Sequence, residues 1–401
     1  MIVIFYIFAS ALIFFSYRSF RGGIDYLGYF RSELARPRST YTPFATIIVP
    51  CRGLDQGLRE NLLRLFEQEH PAYEIIFVVD DVHDAAASVI EELLGKAGDG
   101  LARAKLVVAP KADGSSQKVE NLREAVLHAD PRSEVFVFAD SDARPSREWL
   151  SRLVAPLEDP QIGASTGYRW LISERPTFAS EMRSAWNASI ASALGANLKS
   201  NFCWGGSMAI RRETFERLNI RERWRGTLSD DFAMTRAIKE AGLAIYFVPQ
   251  ALAASIENCA FGEMIEFTTR QMKITRVYAP HLWRSSFFGA GLYTVVMSTA
   301  LLIVILSGQN NFAVYFSLAT IGLVSVFSTG KSWLRLRAVK LALKEFSREL
   351  RLQNFTQNTL WPLAPPLFLF NAIAAAFSRR MTWRGIKYKL NSPTETVIIT
   401  D

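Results

Sequence analysis

The 401-residue sequence predicts an α/β fold: a Rossmann-like, mainly parallel sheet flanked by apolar segments at the N-terminus and in the last third of the chain. Three observations predict it. Short apolar runs alternate with helical patterns between residues 44 and 139, the rhythm of parallel strands covered on both faces. Those runs end in acidic or basic residues, where open α/β sheets collect their ligands. Two kinds of solvent are implied as well, because the middle of the chain has an ordinary soluble composition and the flanking segments are apolar.

Residues Met1 to Phe15 are almost wholly apolar, and Arg18 and Arg21 follow them. A cleaved leader carries its charge before the apolar stretch and a small-residue cleavage site after it. Residues 1–21 therefore read as an uncleaved transmembrane anchor that starts outside and leads into the cytoplasm. Residues 22–44 read as a polar connector. The cytoplasmic domain is expected over 45–280. Its strands are Phe44–Pro50, Tyr73–Asp80, Lys105–Ala109 and Glu134–Ala139. Its helices are Leu58–Glu69, Asp84–Lys96 and Lys118–His128.

Within 281–330 two transmembrane helices are expected, Phe287–Leu306 and Phe312–Ser328, joined by the polar Gly308-Gln-Asn-Asn311. Residues 331–358 are basic with apolar spacing and read as an amphipathic helix on the inner membrane face. Residues 359–378 are apolar but broken by Pro362, Pro365 and Pro366, which fits a transmembrane or re-entrant segment. Residues 379–401 read as a basic cytoplasmic tail.

The formal net charge is +8. The excess lies beside the apolar runs, at Arg18 and Arg21, Lys331–Arg351 and Arg379–Lys389. That placement favours anionic headgroups and the positive-inside rule over nucleic acid, and neither zinc-finger spacing nor an RNA-binding signature occurs. The three cysteines, Cys51, Cys203 and Cys259, are too scattered for a disulfide framework or a metal cluster. The four histidines, His70, His83, His128 and His281, show no metal spacing and read as structural.

Four clusters can carry chemistry. Asp140-Ser-Asp142 follows an apolar strand, so both carboxylates can engage one hard cation, Mg²⁺ or Mn²⁺, and bridge it to a diphosphate. A surface turn is the plain alternative for the triplet alone. Asp80-Asp81, with Asp84 nearby, ends another strand: an ordinary exit turn, or recognition of a nucleotide's base or ribose. Pro50-Cys51-Arg52 ends the first strand and brings Arg52 towards the same ligand. Ser229-Asp230-Asp231 precedes the helical pattern Phe232–Ala241 and is explained by N-capping alone. The other reading makes Asp231 a general base for an attacking hydroxyl, with Asp230 tuning it. Trp204-Gly205-Gly206 is a tight turn that also lets backbone approach a sugar or acceptor. Arg270, Gln271, Lys273 and Arg276 form a basic helical patch. It either faces the membrane or offsets charge on a leaving diphosphate.

Taken together, several stretches resemble family-2 type glycosyltransferases with a GT-A fold, and within them the ceramide glucosyltransferase-like group, family 21 and its bacterial relatives. The resemblance runs through nearly the whole chain. It lies in Val49-Pro-Cys-Arg52-Gly-Leu-Asp55-Gln-Gly-Leu-Arg-Glu-Asn61-Leu, Asp81-Val-His-Asp84, Lys118-Val-Glu-Asn121-Leu, Asp140-Ser-Asp142, Gly206-Ser-Met-Ala209-Ile-Arg-Arg, Ser229-Asp-Asp231 and Trp383-Arg-Gly385-Ile-Lys-Tyr388. The resemblance implies a nucleotide-diphospho-sugar transferase fold with Asp81 at the nucleotide and Pro50, Lys118 and Gly206 lining the donor. It also implies Asp140 and Asp142 at the metal, Asp231 as base, and inversion without a covalent intermediate. Two departures occur. The family's Arg/Gln-x-x-Arg-Trp element stands here as Arg270-Gln-Met-Lys273-Ile274, and Asp230 replaces a usual Glu.

The expectation is transfer of one sugar, UDP-hexose as donor, to a membrane lipid, at the cytoplasmic face of the inner membrane. A processive polysaccharide synthase is the rival enzyme, disfavoured because a pore needs more than the roughly 3–4 spans available. A membrane protein that binds nucleotide-sugar without turnover is the rival of another class.

Overall fold

The structure is a computed structural model and describes residues 2–96, 103–307 and 311–399. The link expected at Gly308–Asn310 lies outside the described residues. In chain order the elements are α1 (Ile2–Leu34), β1 (Ala45–Pro50), α2 (Leu58–Phe66), β2 (Tyr73–Val79), α3 (Ala85–Lys96), β3 (Arg103–Val108), α4 (Gln117–Ala125) and β4 (Val135–Ala139). Then follow α5 (Trp149–Val154), β5 (Ile162–Thr166), β6 (Arg169–Ile172), α6 (Phe178–Ala191), β7 (Ser207–Arg211), α7 (Arg212–Arg217), α8 (Ile220–Arg223), α9 (Asp230–Glu240), β8 (Ala244–Phe247) and β9 (Ala253–Ile256). The last elements are α10 (Phe261–Tyr278), α11 (Pro280–Leu306), α12 (Phe312–Ala342), α13 (Ser347–Thr359), α14 (Ala364–Phe377), β10 (Arg380–Trp383), β11 (Ile386–Ser392) and β12 (Glu395–Ile398).

Two compact units form. One holds residues 32–174, 193–257 and 379 onwards. Its seven-stranded sheet runs β3-β2-β1-β4-β7-β5-β8. β1 pairs in parallel with β2 and β4, β2 with β3, and β5 with β8; β7 alone runs against its neighbours β4 and β5. Side chains alternate strictly across the sheet, as a period of two demands. Ile47, Val49, Ile75, Phe77, Val79, Val135 and Val137 face α2, α3 and α5. Ile48, Ile76, Val78, Phe136 and Phe138 face α4 and the α7–α9 segment. Both faces are dry, which is why these strands read as continuous apolar runs. The α/β class expected from the sequence, with a mainly parallel sheet and apolar helices towards both ends, is the class observed.

The second unit holds residues up to Arg31, 175–192 and 258–378. α1, α11 and α12 are long and apolar enough to cross a membrane. They meet along Phe5, Ala9, Leu12, Tyr293, Val296, Ala300 and Val324, while Ile4, Ile7, Phe14, Val295, Leu301 and Leu302 point outward unburied. Outward apolar surface along such helices suits hydrocarbon, not water.

Three expected boundaries differ. The first helix does not stop at residue 21 but runs to Leu34, so the connector shortens to 35–44. The cause is an apolar face, Tyr26, Leu27 and Phe30, buried at helical spacing beyond the Gly22-Gly23 pair. Residues 331–358 are not one amphipathic helix. Lys331–Ala342 finish α12, the backbone breaks at Leu343, and α13 follows. The tail is no loose segment either: Met381, Tyr388 and Leu390 are buried, and β10-β11-β12 form an antiparallel sheet within the unit of the large sheet.

Candidate active site

The parallel strands β1, β2 and β4 deliver their C-terminal ends to one edge of the sheet, bringing Pro50 and Arg52, Asp80 and Asp81, and Asp140 to Asp142 there. Two helix N-termini complete the edge. Ser116 caps α4, its side chain accepting from Val119 N–H, which fixes Lys118 in the first turn. Ser229 caps α9 by accepting from Phe232 N–H. The capping reading of Ser229-Asp230-Asp231 is therefore correct, and the cap itself orients the two aspartates.

Lys118 joins the two acidic motifs. Its ammonium lies 2.8 Å from Asp140 and 3.2 Å from Asp230. Burial opposes the Lys118 charge, but Asp140, Asp230 and Asp231 outweigh it and push its pKa up. Burial likewise opposes the Asp140 carboxylate, and Lys118 outweighs it, so Asp140 titrates below the usual range. Asp230 is held up at about 6 by burial, against the pull of Lys118. Asp231 accepts from Ser229 Oγ–H and from Phe232 N–H at 2.7 Å, both through Oδ1. The Asp231 side chain is half-buried.

Asp142 accepts from Arg169 Nη1 at 3.1 Å through Oδ2. Its Oδ1 is buried without a hydrogen-bond partner. Burial pushes its pKa up to about 7 against Arg169, helped by Asp140 and Asp55. A buried carboxylate oxygen with nothing to accept from is a good fit for a hard cation. Among the described residues no group of three or more His, Cys, Asp or Glu is placed to hold a metal ion. A Mg²⁺ ion needs only one or two carboxylates where substrate phosphates and water supply its other ligands.

At the end of β2 Asp80 is buried, accepting from Arg52 Nη1 and from Lys111 Nζ at 2.9 Å. Asp81 is half exposed and takes Lys111 at 3.3 Å and His83 N–H at 3.0 Å. One oxygen of Asp84 accepts from Gly53 N–H and Ala86 N–H, both at 2.8 Å, so it pins the β1 loop to α3. Gly205 and Gly206 leave no room for a side chain. A Cβ on Gly205 would collide with Asp230 and lie 2.9 Å from the Lys118 ammonium; one on Gly206 would strike the Trp204 ring and lie 2.7 Å from Asp140 Oδ2. Trp204 is buried, with Arg169 5.6 Å over its ring.

Several residues here have no role of their own in the sequence reading. Asp55 accepts from Ser141 Oγ–H at 2.6 Å and pairs with Arg384 at 2.6 Å. Asn61 donates to the Ser141 carbonyl at 3.1 Å and holds the Asp140–Asp142 turn. Arg169 and Lys111 are cations that no local pattern marks, and Arg384 lies in the Trp383–Tyr388 stretch without a role read from it. Arg270, Gln271, Lys273 and Arg276 belong to α10 in the other unit. There Arg276 donates to the Ala375 carbonyl at 2.6 Å and stands 5.5 Å over Trp283, and burial lowers the pKa of Lys273.

The family model of glycosyl transferase family 21 matches residues 3–396. Among curated proteins, an N-acetylglucosaminyltransferase of Rhizobium leguminosarum bv. viciae is 24% identical over 245 residues, 58% of this chain and 56% of that protein. The chain thus spans about half the length of the curated relative it matches. Among solved structures it is similar to the mannosyltransferase PcManGT from Pyrobaculum calidifontis in complex with GDP-Man and Mn²⁺. That likeness covers 93% of this chain and 98% of that one, at 19% identity and a TM-score of 0.48. It is also similar to GalNAc-T7 with UDP, GalNAc and Mn²⁺, over 56% of this chain and 45% of that one, at 15% identity and a TM-score of 0.41.

Proposed function

The chain belongs to glycosyl transferase family 21, and from that premise we propose that it transfers a single sugar from a nucleotide-sugar, in our reading UDP-hexose, to a membrane lipid hydroxyl with inversion at the anomeric carbon. One observation carries the reading. The Lys118 ammonium bridges Asp140 and Asp230, so the carboxylate pair suited to a cation is tied to the cap of α9, whose next residue is Asp231, the carboxylate suited to a base. The acceptor oxygen bonds to the anomeric carbon as that carbon's bond to the diphosphate oxygen breaks, and Asp231 takes the hydroxyl proton. No covalent enzyme intermediate is needed. Asp140 and Asp142 would hold a Mg²⁺ or Mn²⁺ ion, which supplies positive charge to the departing diphosphate. Asp80, Asp81 and Arg52, with Lys111 paired to both aspartates, are assigned to the nucleotide's base and ribose, and the α10 patch of Arg270, Gln271, Lys273 and Arg276 is assigned to the acceptor or diphosphate.

Mass spectrometry of membrane lipids made with and without the active chain tests this reading, with Asp231→Asn as the control. A new glycolipid is expected with the wild type only, and a turnover about 10²–10⁴-fold lower for D231N with donor affinity kept. Unchanged turnover in D231N removes Asp231 as base. A wild type that binds donor yet glycosylates no lipid supports the non-catalytic alternative. Loss of Mn²⁺ binding in Asp142→Asn is the corresponding check on the metal.

The same reading places the sheet unit in the cytoplasm. Residues 193–257 and 379–399 fold into one unit, so the chain between them crosses the membrane an even number of times. α11 and α12 account for two crossings, and the bent pair Lys344–Thr359 and Trp361–Phe377 then makes no net crossing. With α1 as a further span, the basic runs at Arg18–Arg31, Lys331–Arg351 and Arg379–Lys389 fall on the side of the sheet unit. No Lys or Arg precedes Arg18 or occurs between Arg284 and Lys331, as the positive-inside rule requires. Tags placed before Ile2 and after Ile399 are expected to be accessible from opposite sides of the inner membrane; two tags accessible from the same side would overturn this topology.

A further inference from the structure

The C-terminal sheet makes contact with three loops of the candidate site, all within one unit. The turn between β10 and β11 reaches the β1 loop: Arg384 Nη2 lies 2.6 Å from Asp55, Arg384 Nη1 donates to the Arg52 carbonyl at 3.3 Å, and Arg52 Nε returns a bond to the Arg384 carbonyl at 3.1 Å. On β11, the Tyr388 hydroxyl accepts from Gln117 N–H at 3.2 Å, one residue before Lys118. The turn between β11 and β12 presses the Thr394 carbonyl against Gly226, where no Cβ fits, just before the Ser229-Asp230-Asp231 cap.

The turn that carries Arg384 is unusual. Trp383 pairs with Ile386, so the loop has two residues, and both are left-handed, Arg384 at φ 51° and Gly385 at φ 78°. Such turns favour Asn-Gly or Gly-Gly, because a side chain with a Cβ costs roughly 1–2 kcal/mol in that region. The backbone has no use for arginine there. What the position gains is a guanidinium that reaches into the site: it pairs with Asp55, and Asp55 in turn accepts from Ser141 inside the Asp140-Ser-Asp142 turn. The Arg384 side chain keeps 38% of its surface exposed, so it is open to a ligand entering from solvent, and its planar fork of donors matches phosphate oxygens.

We propose that Arg384 is a donor-binding residue: the C-terminal hairpin presents it to the diphosphate of the nucleotide-sugar, beside Asp55 and the Asp140–Asp142 pair. The proposal rests on the nucleotide-sugar reading above. It makes the last 20-odd residues part of the donor site and not an appendage to the membrane helices.

The test uses the full-length protein in detergent and titrates UDP, GDP and the corresponding monophosphates in the presence of Mn²⁺. The variants are Arg384→Gly, Arg384→Lys and the double variant Asp55→Asn with Arg384→Gly. Glycine suits the left-handed turn and offsets part of the cost of leaving Asp55 unpaired, so R384G is expected to stay folded at the temperature of the titration. Its affinity for the diphosphate is expected to fall about tenfold, as loss of a charge-assisted contact does, while affinity for the monophosphate moves less than about twofold. R384K is expected to recover part of the loss. If Arg384 served only to neutralise Asp55, D55N/R384G would restore diphosphate affinity, and that result overturns the proposal. So does equal weakening of mono- and diphosphate, or a lowered melting temperature that accounts for the loss. A wild type that binds neither UDP nor GDP overturns the nucleotide-sugar reading and the proposal with it; a wild type that binds, beside an unaffected R384G, overturns the proposal alone.

Discussion

Replacing Lys118 with methionine keeps most of its length and removes its charge. The ammonium it removes is nearly buried, with 15% of the side chain exposed, and it sits 2.8 Å from Asp140 and 3.2 Å from Asp230. Without it the buried Asp230 and the partly buried Asp140 lose the cation between them, and Asp230 Oδ2 already lacks a partner. Breaking a buried pair by deleting one member costs about 3–5 kcal/mol, because the stranded charge keeps its desolvation penalty. For a unit of this size that corresponds to a melting temperature lower by roughly 6–20 °C. Adding Asp230→Asn removes one stranded charge, so K118M/D230N is expected to recover about 1–3 kcal/mol, a coupling typical of residues in contact. Thermal unfolding of the purified protein, followed by tryptophan fluorescence, reads all three variants against the wild type. A K118M protein that melts with the wild type, or a double variant whose loss is the sum of the two single losses, would refute the claim that Lys118 holds the two acidic motifs together.

Two further outcomes follow from the site. Gly206→Ala puts a methyl group against the Trp204 ring and 2.7 Å from Asp140 Oδ2; the overpacking is expected to cost about 1–3 kcal/mol and to weaken Mn²⁺ binding, measured by thermal unfolding and metal titration. The three cysteines are free and buried. Burial pushes the Cys51 thiol up, and the Cys203 thiol up to about 12, so neither forms thiolate near neutral pH. A thiol reagent is expected to label none of the three in the native protein and all three after denaturation, as counted by mass spectrometry.

Much of this arrangement is legible along the chain. The strands at 45–50, 73–79 and 135–139 announce themselves because both faces of the sheet are buried, which leaves long apolar runs with no polar alternation to confuse them. Asp140, Asp142 and Asp231 stand out because a carboxylate just past an apolar strand, or at a helix cap, is a local pattern. Asp84 shows the limit of the same logic. It has the residue type and the place of a ligand, and the fold adds a task that spacing does not show: one of its oxygens accepts two backbone N–H groups.

The Asp140-Ser-Asp142 turn, the apolar helices and the α/β class were fixed by local composition and period, since burial on both faces and solvation in lipid act on each segment separately. Tertiary structure alone decided which carboxylate each cation meets. Lys111 lies 31 residues from Asp80, Arg169 27 from Asp142, and Arg384 reaches Asp55 from the far end of the chain. An ion pair leaves no trace in spacing when its partners sit on different elements, because Coulomb attraction depends on distance in space and not on distance along the chain. For the same reason the last residues read as a basic tail until the fold showed them as a sheet beside Arg52, Asp55 and the cap of α4.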